Sequence, residues 1–235
     1  MKKSTLALSV ALGVIAQQAG AAGFIEDSHA TLSARNFYIN TDNRDGAPTA
    51  SSRSKNAEWG QGFDLRFISG YTQGTVQFGV DAIGLYGVRL DSSRAEHGNY
   101  SGTASGGTVF PSDGNTAVND FASLGVTGKV KISQTELKLG TLQPKLPVIV
   151  TNDGRLLPQT FQGGQITTND IKDLTLVAGQ IESAKGRNSS NNENLSIASA
   201  NASSNYNSGK FSNKFYYAGG DYKLTKDLTA QYYYG

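Results

Sequence analysis

The chain has no cysteine, only two histidines, one tryptophan and five prolines among its 235 residues. Without cysteine there is no disulfide framework, thiol nucleophile or thiolate metal site. The two histidines, His29 and His97, stand far apart, and no HExxH, GxSxG or phosphate-loop pattern accompanies them. The sequence therefore reads as a non-enzyme with no implied cofactor. GQGFD from Gly60 mimics the start of a dinucleotide fingerprint, but it opens a strand rather than a helix. The net charge of +2 is too mild for a nucleic-acid surface. Past residue 22 no apolar run reaches about 18 residues, which excludes helical membrane spans. It does not exclude membrane strands, which need only every second residue apolar.

The first residues, MKKSTLALSVALGVIAQQAGAAG, set Lys2 and Lys3 before an apolar stretch from Leu6 to Ile15 and a small-residue ending at Ala21 and Ala22. This is the build of a bacterial secretory signal peptide over residues 1–22, and about ten apolar residues are too few to anchor a helix in a bilayer. The expected mature chain starts near Gly23. At about 210 residues it is one large domain, stabilised by a sheet or by a membrane.

What the chain does have is alternation. Over 59–72, Trp59, Phe63, Leu65, Phe67 and Tyr71 share one face, against Asp64, Arg66 and three glycines. The same period of two runs through 75–90, 122–133, 135–140, 174–182, 213–224 and 228–235. A first strand over 30–40 is expected despite poor alternation, with a bulge suspected there. Tight turns near 71–74, 133–134, 169–173 and 225–227 separate strands from long polar connections at 41–58, 91–121, 144–160 and 183–212, here loops 1 to 4. Strict alternation of short and long requires one more strand at 161–168, giving nine. A short rim and a long rim are features of outer-membrane barrels.

The charged residues of the strand interiors fall on the polar face. Basic Arg66, Arg89, Lys129, Lys131, Lys138 and Lys223 face acidic Asp64, Asp81, Glu136 and Asp221. Trp59, Tyr71, Tyr86 and Tyr222 sit near strand ends on the apolar face, where an interfacial girdle belongs. The fold expected is therefore an all-β, antiparallel transmembrane β-barrel. A soluble exported sandwich, as in a binding protein or adhesin, also wets one face and stays as the alternative.

Four segments, GFIEDSHATLSARNFYIN from Gly23, GFDLRFISGYTQGTVQFGVDAIGLYG from Gly62, LKLGTLQPKLPV from Leu137 and RLLPQTFQGG from Arg155, resemble the OprD family of substrate-specific outer-membrane porins. The resemblance implies a barrel of about 18 strands, of which residues 23–235 are the N-terminal half, an odd nine strands where single-chain bacterial barrels have even numbers. It also implies a monomer or weak oligomer in outer-membrane lipid, passing small solutes by passive diffusion, with a non-selective general porin as the other reading.

Within that reading the working surface is the lumen. Basic groups there would focus anions, and Lys129 and Lys131 stand two apart on one face. The resemblance assigns 144–160 to the third extracellular loop, folded inward to narrow the pore. Pro144, Pro147 and Pro158, three of the five prolines, reduce the entropy such a loop loses. Val148, Ile149, Val150, Leu156 and Leu157 can pack on the wall, and TNDG at 151–154 makes a turn. By resemblance, Arg155 meets the carboxylate of a permeating amino acid or organic acid, a task that suits a permanently charged guanidinium. Lys145 and Asp153 are its candidate neighbours. The alternative is an arginine tied to the wall through Asp81 or Glu136.

Overall fold

The computed structural model describes residues 23–42, 55–93, 96–97, 107–114, 116–195 and 212–235. The expected signal peptide lies outside them. In chain order the strands are β1 (His29–Asp42), β2 (Lys55–Ile68), β3 (Val76–Asp91), β4 (Ser112–Asp113), β5 (Thr116–Ala117), β6 (Asp120–Ile132), β7 (Thr135–Leu142), β8 (Lys145–Leu146), β9 (Ile149–Val150), β10 (Thr160–Ile171), β11 (Leu174–Lys185), β12 (Asn192–Asn194), β13 (Phe215–Thr225) and β14 (Leu228–Tyr234).

Nine of these form one antiparallel meander, β1-β2-β3-β6-β7-β10-β11-β13-β14, each strand pairing with its neighbour along the chain. They are the nine expected strands, and β10 is the one inferred only from the alternation of connections. The sheet is a partial barrel. On the short rim two-residue turns join β6 to β7, β10 to β11 and β13 to β14, and the segment 69–75 joins β2 to β3. Ser133 and Asp173 take positive φ in the first two of these turns (54° and 63°), which lets the chain reverse in so few residues. On the long rim β4 pairs with β5 inside loop 2, β8 with β9 inside loop 3, and β12 adds to β11.

Two sequence expectations are corrected. β1 pairs with β2 over fourteen residues without a register shift, so the poor alternation of β1 is no bulge. The irregularity lies one strand over, where Trp59 pairs with Asp91 and Gly60 with Arg89. Tyr71 is no girdle residue either. β2 ends at Ile68, and the chain turns so that the Tyr71 hydroxyl donates to Glu136 Oε1 and its ring lies beneath the ammonium groups of Lys129 and Lys131, at 4.8 and 5.6 Å.

The two faces of the sheet have opposite fates. On one, the apolar stripe is open to the surroundings: Leu65 and Val126 are each 52% exposed and Leu124 78%. The other, which carries the charges, is covered by the protein's own loops. In a soluble sandwich the apolar face would be the covered one, so that alternative is set aside. The buried apolar residues instead gather where loops meet the charged face. One cluster joins Leu85 of β3 and Phe121 of β6 to Val109 and Phe110 of loop 2 and Leu156 and Leu157 of loop 3. A second joins Leu142, Phe161, Val177, Ile181 and Tyr217 of the wall, with Leu146, Val148 and Ile149 of loop 3 packed against it.

Candidate functional site: the junction of three loops inside the wall

Loop 3 is attached by its apolar residues. Leu156 and Leu157 are each 2% exposed, and burial of that kind stabilises by about 1.5–3 kcal/mol per side chain. Val148 and Ile149 also pack, whereas Val150 turns outward. The wall beneath is made flat enough by Gly60 and Gly62. A Cβ on Gly60 would lie 2.6 Å from Phe110 Cζ, and one on Gly62 would lie 2.9 Å from the Leu156 carbonyl oxygen. The glycines of GQGFD are thus a floor for two loops. The TNDG segment does turn: the Asn152 side chain accepts from the Gly154 N–H at 3.1 Å, and the Gln159 N–H closes onto the Asn152 carbonyl at 2.9 Å.

The tip of the loop is gripped by Arg35, a β1 residue that sequence reasoning missed. Its guanidinium donates to both carboxylate oxygens of Asp153 (2.7 and 3.1 Å), to the Asp153 carbonyl at 3.1 Å and to the Arg155 carbonyl at 2.6 Å. The two parallel bonds hold the Asp153 carboxyl below the usual aspartate range, against an opposing effect of burial. The signal that could have found Arg35 was its odd-numbered register with Phe37 and Ile39, both of which pack inward on the first cluster.

Arg155 does not reach the wall carboxylates. Asp81 stands 2.7 Å from Lys129 Nζ, in an ion pair whose angles fall outside hydrogen-bond geometry, and Glu136 accepts from Tyr71 and pairs with Lys138 at 2.9 Å. The Arg155 guanidinium donates to the Thr108 carbonyl of loop 2, and among the described residues it makes no ion pair. One residue along, the Gly107 carbonyl accepts from the Asn188 amide of loop 4. Loops 2, 3 and 4 therefore meet at two consecutive carbonyls. Arg187 lies at the same junction, its Nη1 3.5 Å from where a Gly154 Cβ would stand. Burial, and then the neighbouring charge of Arg155, lower its affinity for the proton. Loop 4 is further tied by Lys185, a buried cation whose ammonium donates to the carbonyls of Gly186 and Pro158 at 3.1 and 3.4 Å.

The other basic residues divide into free and committed. Arg66 pairs with Asp64 on its own strand at 2.7 Å. With Lys138, Asp81 and Gln165 it lines a recess of about 270 Å³ behind loop 3. Arg89 donates to the Ala117 carbonyl at 2.8 Å and to the Asn119 side chain, which anchors loop 2 rather than facing a passage. Lys129 is 4% exposed, bonded to the Ser69 carbonyl at 3.0 Å as well as paired with Asp81. Lys131 lies over the Tyr71 ring and forms no ion pair among the described residues, and Lys145 and Lys223 are exposed.

The comparisons with known proteins agree with this architecture. Residues 22–235 match the profile of the family described as outer membrane porin, OprD family. The chain is 39% identical over 225 residues to the porin-like protein GalP of Pseudomonas putida, covering 96% of this chain and 50% of that protein. Its fold superposes on the crystal structure of Pseudomonas aeruginosa OccK8 (OprE) with a TM-score of 0.75 and 61% identity, covering 91% of this chain and 47% of that one. Two further Pseudomonas aeruginosa relatives, each covering 90% of this chain, were solved with a small molecule. They are OpdK with vanillate (49% of its chain, 33% identity, TM-score 0.71) and OccK2 (OpdF) in complex with glucuronate (46% of its chain, 34% identity, TM-score 0.68). The chain spans about half the length of the curated relatives it matches. With a wall of nine antiparallel strands, an apolar outer face and a match over 22–235, the chain belongs to the OprD family of outer-membrane porins.

Proposed function

We propose that this chain supplies half the wall and an inward constriction of a channel for passive, selective diffusion of small carboxylate-bearing solutes, amino acids or organic acids, across the outer membrane. The observation that carries the reading is the charge balance at the tip of loop 3. Asp153 feels Arg35, Arg66 and Lys145, and is already neutralised by the first of them. Arg155 and Arg187 stand together beside it, and among the described residues neither forms an ion pair with a carboxylate. An excess of cations in a narrowed, partly dry passage concentrates anions, and guanidinium groups pair with carboxylates through parallel hydrogen bonds. That the solved relatives OpdK and OccK2 hold vanillate and glucuronate, both carboxylates, supports the same solute class.

The test is planar-bilayer recording of the complete porin in potassium chloride, with benzoate added as a blocking solute. Wild type is expected to show saturable block, weakened about tenfold by Arg155→Ala, the loss of one charge-assisted hydrogen-bonding group. Block that is absent or non-saturable in wild type identifies a general porin instead.

A further inference from the structure

The Thr108–Val109 peptide unit is held from both sides. Its N–H donates to Glu58 Oε2 at 2.6 Å, and its C=O accepts from the Arg155 guanidinium. In a planar trans peptide these groups point in opposite directions. The carboxylate and the guanidinium therefore flank one peptide plane, each at the end of the peptide dipole that favours its charge.

Glu58 has no direct role in the reading above. It lies near the long rim of β2, 2% exposed, sealed beneath loop 2. A buried carboxylate must be hydrogen-bonded to be tolerated, and here the bonds are specific. Oε1 is 2.5 Å from His97 Nδ1, and His97 Nε2 is 2.7 Å from Ser112 Oγ of the β4–β5 hairpin. Gly107 closes the arrangement, because a Cβ there would lie 2.1 Å from His97 Cε1 and 2.4 Å from Glu58 Oε1. Three points of loop 2, at His97, Val109 and Ser112, are thus fixed by one wall carboxylate.

We infer that Glu58 is a positioning residue for Arg155, acting through the Thr108–Val109 peptide, so that loop 2 is a working part of the constriction. With the carboxylate in place, the peptide plane cannot rotate and the Thr108 carbonyl holds the guanidinium at one orientation toward the passage. Without it, the Val109 N–H is orphaned in an apolar cluster, the plane turns, and Arg155 loses its anchor. The inference rests on Arg155 being the solute-facing cation.

A double-mutant cycle in the complete porin tests it, using Glu58→Gln, Arg155→Ala and the pair, with benzoate block and potassium/chloride permeability ratio as readouts. Glutamine keeps the shape but removes the negative charge that favours the N–H end of the peptide dipole, and puts an amide N–H₂ where one carboxylate oxygen stood. Glu58→Gln is expected to weaken block about three- to tenfold with single-channel conductance little changed, and to add nothing in the Arg155→Ala background. Effects that multiply in the pair, or unchanged block in Glu58→Gln, overturn the inference. Should wild type show no carboxylate block, the solute reading fails and the cycle is judged on the permeability ratio alone, where multiplying effects again overturn it. Folding is checked by the heat-dependent shift in electrophoretic mobility. If Glu58→Gln does not assemble, Glu58→Asp, which withdraws the carboxylate by one methylene, replaces it in the same cycle.

Discussion

At the scale of single residues, Arg35 and Asp153 show how a modest ion pair becomes a local anchor. Both side chains are about half exposed, at 42% and 52%, so the pair contributes only about 0.2–1 kcal/mol after solvent screening. Its effect is on the mobility of a loop tip rather than on the barrel. The bonds from Arg35 depress the Asp153 proton affinity below its ordinary value. A carboxyl depressed in the folded state contributes fully above its unfolded value, near 4, and that contribution is lost as pH falls through the lower folded value. Current noise from the loop tip should therefore stay constant from pH 8 to about 5 and rise only under stronger acid. Arg35→Ala should show the raised noise at every pH. A wild-type noise transition near neutrality would assign the anchoring to another group.

At the scale of elements, loop 3 stays down because β2 offers it a glycine floor and the wall offers it apolar partners. Gly62→Val would push against the Leu156 backbone, which cannot yield as a side-chain tip can. The expected result is a lifted loop: higher single-channel conductance and weaker carboxylate block, with assembly of the barrel unchanged. Conductance equal to wild type would mean that the loop shifts sideways and still narrows the pore. The same contacts explain what the sequence could not tell. Alternation predicts strands well where one face meets lipid and the other is polar, as over 126–132 of β6 and in β7. It fails where a loop lies on the inner face, because that face is then apolar too: Phe37 and Ile39 on β1, and Ile83 and Leu85 on β3, all pack on the first cluster. Hence β1 looked irregular and Arg35 went unnoticed. Loop 2 reads as a polar connection because Val109 and Phe110 are two apolar residues among many small polar ones. Their place is defined by side chains of other elements, among them Leu85, Phe121 and Leu156. Arg155 was legible as a lone cation between prolines, while its partner, a backbone carbonyl 47 residues away, leaves no mark in composition.

At the scale of the whole molecule, the sheet separates two solvents, and the cost of a charge depends on which one it meets. Val126 lies midway along β6 on the open apolar face, and Ser123, three residues earlier and half-buried, lies on the inner face opposite Leu85. Placed in lipid near the middle of a strand, an arginine must be desolvated or must drag water inward, which costs about 2–4 kcal/mol at the bilayer midplane. Placed on the inner face it keeps access to lumen water, and the expected change in stability is below about 1 kcal/mol. Urea titration of the complete porin in lipid vesicles should therefore give a markedly lower midpoint for Val126→Arg and a midpoint near wild type for Ser123→Arg. In bilayer recordings the order reverses: Ser123→Arg should alter ion selectivity, while any folded Val126→Arg should conduct like wild type. The two assays together test orientation, because a sheet with its faces exchanged would reverse the stability ranking and the conductance ranking at once.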